Sequence, residues 1–134
     1  MEILNEVAKK DFNGLCFLNL VDFDALYGHR RDAVGYKNCL EEFDNDLGEF
    51  LKLMKKDDLL IITADHGNDP TWQGTDHTRE YVPVLVYSKS LKDPKELETL
   101  ESMADMGVTI LDNFNSNNKE YSFEIGKSFL NNIK

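Results

Sequence analysis

A chain of 134 residues, 41% of them hydrophobic, is long enough to form one domain with a buried core. Its 25 acidic and 15 basic residues give a formal net charge of −10, which disfavours binding to nucleic acid and to anionic membrane surfaces. The N-terminus carries no basic segment followed by an apolar stretch, and no apolar run approaches the roughly 20 residues needed to cross a bilayer. These features predict a cytoplasmic protein without membrane or nucleic-acid partners.

The first half of the chain is predicted to form two helices and two strands. Residues 1–12 show the apolar spacing of a short amphipathic helix, and the almost continuous apolar run over residues 15–21 is typical of a strand buried on both faces. Asp32 is a suitable N-cap for a long helix, whose apolar residues recur every three or four positions down to Met54. Residues 59–63 are predicted to form a second buried strand.

The second half adds one strand and one or two helices. Residues 82–87 form an apolar run in which Pro83 favours the start of a strand or a sheet edge. Residues 95–115 carry regularly spaced apolar side chains and predict one helix, or two if Gly107 interrupts them. The tail over residues 123–129 favours neither helix nor strand. The order of strands and helices predicts an α/β fold with a mostly parallel sheet flanked by helices.

The two cysteines, Cys16 and Cys39, lack the spacing of a zinc or redox motif. Cys16 falls in a predicted strand and Cys39 in a predicted helix. In a cytosolic protein both are predicted to be reduced packing residues, and a disulfide between them is the alternative.

All three histidines lie in loops that follow predicted strands. His29 comes after Asp24 behind the first strand, and Asp65, His66 and His77 come after the second. In open α/β sheets, functional side chains collect beyond the carboxyl ends of the strands. Aspartate and histidine without cysteine suit divalent ions such as Mn²⁺, Zn²⁺ or Mg²⁺. One histidine in such a place is more often structural, but three of three, each within five residues of an aspartate, favour a metal site.

Other charged residues in these loops have two interpretations each. Asp69 and Asp76 are predicted to be partners of the ligands or turn-forming residues rather than ligands themselves. Arg30, Arg31 and Arg79 are predicted to pair with the many carboxylates, and contact with a phosphate group is the alternative. Because the chain is acidic overall, a phosphorylated substrate would need a local positive centre, which bound divalent metal can provide.

Three segments of the chain resemble phosphopentomutase, a manganese enzyme family of the alkaline phosphatase superfamily. They are residues 21–32, residues 62–71, and residues 74–83, and the similarity continues through nearly the whole chain to residues 126–130. The motif Thr-Ala-Asp-His-Gly-Asn is shared with cofactor-independent phosphoglycerate mutase. The motif Gly-Thr-Asp-His-Thr-Arg-Glu that follows it is more specific to phosphopentomutase.

The resemblance implies a partial alkaline-phosphatase-like core, in which residues 1–134 form the C-terminal part of the metal-binding domain. It implies that Asp24, His29 and His77 bind one Mn²⁺ ion, and that Asp65 and His66 are ligands of a second. Phosphopentomutases interconvert ribose or deoxyribose 1-phosphate and 5-phosphate through a threonine that carries the phosphoryl group. That threonine, a further aspartate ligand and the cap domain that contacts the sugar phosphate lie in segments without a counterpart here. This chain alone is therefore expected to be an inactive fragment.

Two alternatives to this interpretation stay open. One is a stand-alone, non-catalytic metal-binding module, and the other is part of a phosphoglycerate mutase, which residues 74–80 disfavour. The expected substrate of the parent enzyme is a small pentose phosphate, either ribose or deoxyribose. Because the sheet of the family is completed by N-terminal strands without a counterpart here, an exposed sheet edge is expected to promote self-association.

Overall fold

The computed structural model describes residues 1–114 and 124–133. The elements in chain order are helix α1 (Glu2–Ala8), a π-helical turn (Phe23–Gly28), helix α2 (Ala33–Leu53), strands β1 (Leu60–Thr63) and β2 (Val84–Tyr87), helix α3 (Ala104–Phe114) and a 3₁₀ turn (Leu130–Asn132). Among the helices of the described residues, none combines the length and the apolar character that crossing a membrane requires.

Helix α2 is the longest element and begins where the sequence predicts. The side chain of Asp32 accepts a hydrogen bond of 2.8 Å from the Gly35 N–H, which satisfies a free amide group of the first turn. Phe50 and Met54 are buried at the far end of the helix, although Leu40 on the same stripe is 47% exposed. Ion pairs between neighbouring turns cover the exposed face. The predicted helix with one apolar stripe is confirmed.

Strands β1 and β2 pair with each other in antiparallel orientation, so the expected mostly parallel sheet is wrong for the described residues. The register pairs Leu60 with Tyr87 and Thr63 with Val84. Parallel neighbours need a crossover connection, which is usually a helix. Residues 64–83 contain no helix, and a bridge between Gly67 and Thr78 continues the antiparallel pairing into the loop. The connection is thus a long hairpin, and β2 begins directly after Pro83, as predicted.

Residues 15–21 form no strand, contrary to the prediction from their apolar composition. Leu15, Phe17 and Val21 are 60%, 84% and 55% exposed. A strand needs a neighbour that takes up its backbone hydrogen bonds, and apolar side chains cannot replace that neighbour. Cys16 is consequently exposed and not a packing residue.

The hydrophobic core lies between the sheet and the C-terminal tail. Its buried members Phe129, Leu130 and Ile133 pack against partly buried side chains of both strands and of the adjoining segments. Leu85, on the opposite face of β2, is 59% exposed. The sheet therefore buries mainly the face that the tail covers.

Helix α3 is shorter than the predicted helical segment of residues 95–115. It covers Ala104–Phe114, whereas residues 95–103 are not helical, and Gly107 lies within it without breaking it. The sequence favours neither helix nor strand for the tail over residues 123–129, and Phe123 of that tail lies outside the described residues.

Two buried polar side chains of α3 fasten the tail to the rest of the chain. A carboxylate oxygen of Asp105 accepts a hydrogen bond of 2.7 Å from the Lys127 N–H, and the Thr109 hydroxyl accepts one of 3.0 Å from the Phe129 N–H. Buried polar groups are costly unless they are hydrogen-bonded, so these pairs fix where the tail enters the core.

The chain exposes more surface than a compact protein of its size. Its accessible surface is 10,350 Å² for a mass of 15.4 kDa. The scaling for folded monomers gives about 7,200 Å² at that mass. Part of the excess comes from the exposed apolar side chains of residues 12–21, and exposed apolar patches are a common cause of association between protein molecules.

We predict that replacing Phe17 with aspartate reduces self-association and the binding of an apolar fluorescent dye, because Phe17 is the most exposed large apolar side chain of residues 12–21. Light scattering over a concentration series and dye fluorescence provide the measurements. Val34→Asp is the control, since Val34 is 70% exposed at the start of α2, outside the segment. A strictly monomeric wild-type chain at high concentration that does not bind the dye would contradict the prediction.

The two free cysteines are predicted to differ in reactivity. Burial, and then the negative charges of Asp22 and Glu42, raise the pKa of the Cys39 thiol, so less of it is present as the reactive thiolate at neutral pH. Cys16 is exposed and open to reagents. Brief treatment with iodoacetamide, followed by peptide mass mapping, should label Cys16 several-fold faster than Cys39. Equal labelling rates in the folded chain would refute this, and denatured chain serves as the control.

Candidate metal centre

The first loop of the site is attached to α2 through aromatic packing. The ring of Phe23 lies 5.7 Å from that of Tyr36 and 6.0 Å from that of Phe43, measured between centroids. The backbone carbonyl of the next residue, Asp24, accepts a hydrogen bond of 2.9 Å from the His29 N–H, five residues along the chain, as in a π-helix. This wide turn brings the two side chains together, with Nε2 of His29 3.2 Å from Oδ2 of Asp24, and π-helical turns of this kind are frequent at functional sites.

The second loop brings His77 to the same point. One ligand atom from each of Asp24, His29 and His77 lies within 4.8 Å of the other two. The Nε2 atom of His29 is 3.2 Å from Asp24 Oδ2, the Nε2 atom of His77 is 3.4 Å from Asp24 Oδ1, and the two Nε2 atoms are 3.1 Å apart. Within the described residues, this is the one group of three or more metal-binding side chains that converge. We refer to it below as the triad.

Hydrogen bonding fixes which nitrogen of His29 is free to bind. Its Nδ1 atom contacts the carbonyl oxygen of Thr75. Because a carbonyl only accepts hydrogen bonds, Nδ1 must carry the proton, and the lone pair of the neutral ring is then on Nε2, facing the triad. The anchoring of one ring nitrogen by a carbonyl is the usual arrangement of metal-binding histidines.

The donor set of the triad fits a divalent cation. An imidazole lone pair of His29 and the carboxylate of Asp24 are both electron-pair donors, and they meet at a point where His77 contributes a third ring nitrogen. Imidazole and carboxylate together suit ions such as Mn²⁺ or Zn²⁺. The side chains are 34% to 45% exposed, so the point where they converge is open to solvent on one side.

The electrostatic surroundings keep Asp24 ionised. Partial burial raises the pKa of its carboxyl group, but a hydrogen bond from Asn68 and the positive charge that His29, His77 and His66 carry when protonated more than offset this and hold the pKa below its usual range. A carboxylate is the form that binds a cation, so Asp24 is already in the protonation state that a metal ligand requires.

Asp65 and His66 lie beside the triad but do not complete a second one within the described residues. The His66 ring stacks on that of His77, with centroids 3.6 Å apart and planes inclined by 18°. The Nε2 atom of His66 is 3.7 Å from Asp65 Oδ1, and the Asp65 side chain is 89% exposed. The two residues thus form an open pair next to the triad.

Arg31 connects the two loops, a role that the sequence analysis did not assign to it. Its guanidinium group donates to five oxygen atoms, those of the Asn68 side chain and of the main chain of Gly28, Gly74, Asp69 and Asp76. Three of them share the two N–H groups of Nη1. These partners are neither carboxylates nor phosphate, so the prediction of carboxylate pairing is wrong for Arg31. The only sequence signal is its position directly beside the His29 motif.

The backbone of Arg31 is itself unusual, with a φ angle of 55°. A non-glycine residue in this left-handed region costs about 1–3 kcal/mol and persists where its surroundings hold it in place. The hydrogen bonds of the guanidinium group to these five oxygen atoms are those surroundings.

Asp69 forms a turn, as predicted from its place in the loop. One of its carboxylate oxygens accepts hydrogen bonds of 2.7 Å from both the N–H and the hydroxyl of Thr71. Its own N–H donates to the hydroxyl of Thr78 at 2.6 Å, on the opposite arm of the hairpin. Asp69 therefore shapes the loop that carries His77.

With the fold and the triad described, comparison with known proteins assigns the family. Residues 1–118 match the sequence profile of the Metalloenzyme superfamily, so the chain belongs to that superfamily. A phosphopentomutase from Clostridium botulinum (strain Alaska E43 / Type E3) is 56% identical over 130 residues, which is 97% of this chain and 32% of that protein. A phosphopentomutase from Clostridium perfringens (strain SM101 / Type A) is 56% identical over 133 residues, which is 99% of this chain and 33% of that protein. The chain thus spans about a third of the length of these relatives.

We predict that Arg31→Met lowers the free energy of unfolding by about 1–3 kcal/mol, because the half-buried carbonyls of Gly28 and Asp69 and the Asn68 amide oxygen lose a charged donor. Urea denaturation monitored by the fluorescence of Trp72 measures the change. Arg79→Met is the matched control, since Arg79 is an exposed arginine of the same loop, and its replacement should cost less than about 0.5 kcal/mol. Equal effects of the two substitutions would show that the Arg31 hydrogen bonds contribute nothing specific.

Proposed function

We propose that residues 1–134 are the C-terminal part of the metal-binding core domain of a phosphopentomutase, an enzyme that interconverts ribose or deoxyribose 1-phosphate and 5-phosphate. The observation that carries the proposal is the convergence of Asp24, His29 and His77 in a chain that is 56% identical to two phosphopentomutases. The substrate and the reaction belong to the proposal, because the chain spans about a third of those relatives.

In this proposal the triad holds one Mn²⁺ ion, and Asp65 and His66 contribute to a second. Bound divalent ions would supply positive charge to the phosphoryl oxygens, which an acidic chain cannot do by itself. The role of the chain's own residues is to present the Nε2 lone pair of His29, fixed by the Thr75 carbonyl, and an ionised Asp24 carboxylate. The exposed Asp65 leaves its ligand atoms free for a further partner.

The nucleophilic threonine of the proposed enzyme lies outside this chain. The hydroxyl of Thr78 is engaged, since it donates to Glu80 and accepts from the Asp69 N–H. The hydroxyl of Thr63 points to the neighbouring Ala64 carbonyl at 3.4 Å. These contacts support the expectation that neither hydroxyl serves as the nucleophile of phosphoryl transfer.

The mostly parallel, alkaline-phosphatase-like sheet is proposed for the longer protein only. There, residues 15–21 would pair as a strand with segments from outside this chain, which would cover Leu15 and Phe17. Protection of Cys16 from iodoacetamide in a full-length phosphopentomutase, compared with rapid labelling in this chain, would support this arrangement. Equal labelling in both would contradict it.

A stand-alone metal-binding module is the second proposed function. It is favoured by one observation: the triad closes within this chain, whereas Asp65 and His66 form only an open pair. The two functions differ in whether joining the chain to the rest of a phosphopentomutase restores turnover.

We predict that the isolated chain binds Mn²⁺ and that His77→Ala weakens this binding by more than about 100-fold. Removing a residue that only supports a metal ligand costs up to about 100-fold in affinity, and His77→Ala removes a ligand itself. Isothermal titration calorimetry measures the affinity. Asp46→Asn, which alters a carboxylate of α2 away from the triad, is the control. Unchanged Mn²⁺ affinity in His77→Ala would contradict the assignment of the triad.

The chain alone is also predicted to show no formation of ribose 1-phosphate from ribose 5-phosphate, with Mn²⁺ and a sugar bisphosphate activator present. Loss of a nucleophile removes many orders of magnitude in rate. Enzyme-like turnover that disappears in His77→Ala would show instead that the chain contains its own nucleophile.

A further inference from the structure

We propose that Asn68 is a positioning residue that orients the carboxylate of Asp24 for metal binding, and that Arg31 fixes the orientation of Asn68. The proposal rests on the proposed metal-binding function of the triad. It concerns a residue that is not one of the five ligands inferred above.

The contacts of Asn68 define the orientation of its amide group. Its Oδ1 atom is 2.6 Å from Nη1 of Arg31, and its Nδ2 atom is 2.6 Å from Oδ1 of Asp24. A guanidinium group has no acceptor, so the amide oxygen must face Arg31. A carboxylate has no donor, so the amide nitrogen must face Asp24. The two requirements agree, and the opposite orientation would lose both hydrogen bonds.

This orientation limits the rotation of the Asp24 carboxylate. Asn68 occupies one lone pair of Oδ1, and Oδ2 then faces Nε2 of His29 at 3.2 Å. Without the Asn68 donor, the carboxylate of a 34% exposed side chain is free to turn away from the histidines toward solvent. With the donor, the carboxylate is held with Oδ2 toward His29 and with Oδ1 3.4 Å from Nε2 of His77, so Asp24 faces the point where the two histidines meet.

The packing around the amide group is close on one side. A Cβ atom at Gly28 would lie 2.5 Å from Nδ2 of Asn68, which is far inside van der Waals contact. Gly28 is buried and lies in the turn that carries Asp24 and His29. The absence of a side chain at Gly28 therefore gives Asn68 the room to reach Asp24 from the other loop.

Arg31 extends the same chain of contacts to the backbone of both loops. The Nη1 atom that binds Asn68 also donates to the carbonyls of Gly28 and Asp69, at 3.2 Å and 2.7 Å. Through Arg31 and Asn68, the main chain of both loops thus fixes the position of the Asp24 carboxylate. A displacement of one loop against the other would be transmitted to the metal ligand.

The test compares Asn68→Ala with the wild-type 134-residue chain, using Mn²⁺ and Co²⁺ alone as probes. Calorimetry should show about a 10- to 100-fold weaker affinity for Mn²⁺, the range found when the partner of a metal ligand is removed. The visible absorption spectrum of the Co²⁺ complex should change in intensity and position, because the coordination by Asp24 changes. Asn45→Ala is the matched control, since Asn45 makes an exposed side-chain hydrogen bond on α2 away from the triad.

Gly28→Ala is the second variant, which displaces the amide group of Asn68 but keeps the residue. It should shift the Co²⁺ spectrum in the same direction as Asn68→Ala. A purely structural role of Asn68 predicts a lower unfolding midpoint with unchanged Mn²⁺ affinity and an unchanged Co²⁺ spectrum, and that result would overturn the proposal.

A measurement on the metal-free wild-type chain covers the case in which both variants fail to fold. The side-chain NH₂ protons of Asn68 should exchange slowly with solvent in NMR spectra, and Asp24→Ala should abolish that protection. Rapid exchange in the wild-type chain would overturn the proposal. If the wild-type chain binds neither Mn²⁺ nor Co²⁺, the proposed metal centre fails and this inference with it. Wild-type binding that Asn68→Ala and Gly28→Ala leave unchanged overturns this inference alone.

Discussion

The arrangement of the triad depends on the hydrogen bonds of one guanidinium group. Asp24 and His29 belong to a turn held against α2, whereas His77 belongs to a hairpin loop between two strands, and the two segments share no secondary structure. Arg31 binds carbonyl oxygens of both. A planar group with five donors in a fixed geometry suits this task better than lysine, whose charge is a single point on a flexible stem.

The candidate ligands Asp24, His29 and His77 could be selected from the sequence, because the ability of these side chains to donate to a cation is a property of the residues themselves. The long helix α2 could also be predicted from the sequence, since a capping Asp32 and an apolar stripe are local signals. The role of Arg31 could not be predicted, because its partners are mostly main-chain oxygens, which every residue carries and which no sequence pattern marks.

The sheet shows most clearly what an apolar sequence pattern cannot predict. Residues 15–21 and β1 have similar apolar composition, yet within residues 1–114 and 124–133 only β1 pairs with another strand. Whether an apolar segment becomes a strand depends on a neighbour elsewhere in the chain, and so does the direction of pairing. The orientation of β1 and β2 follows from a connection that doubles back as a hairpin, a property of residues 64–83 and not of the strands.

The separation of His29 and His77 by 48 positions gives a bound cation a further effect on the chain. A cation held by both side chains would act as a cross-link that closes a long loop, and such a constraint removes conformational entropy from the unfolded chain for as long as the ion stays attached. If the cation binds the folded chain better than the unfolded one, the apparent stability would rise with the logarithm of the free metal concentration once that exceeds the dissociation constant. The amount of folded protein would then report the metal supply of its surroundings.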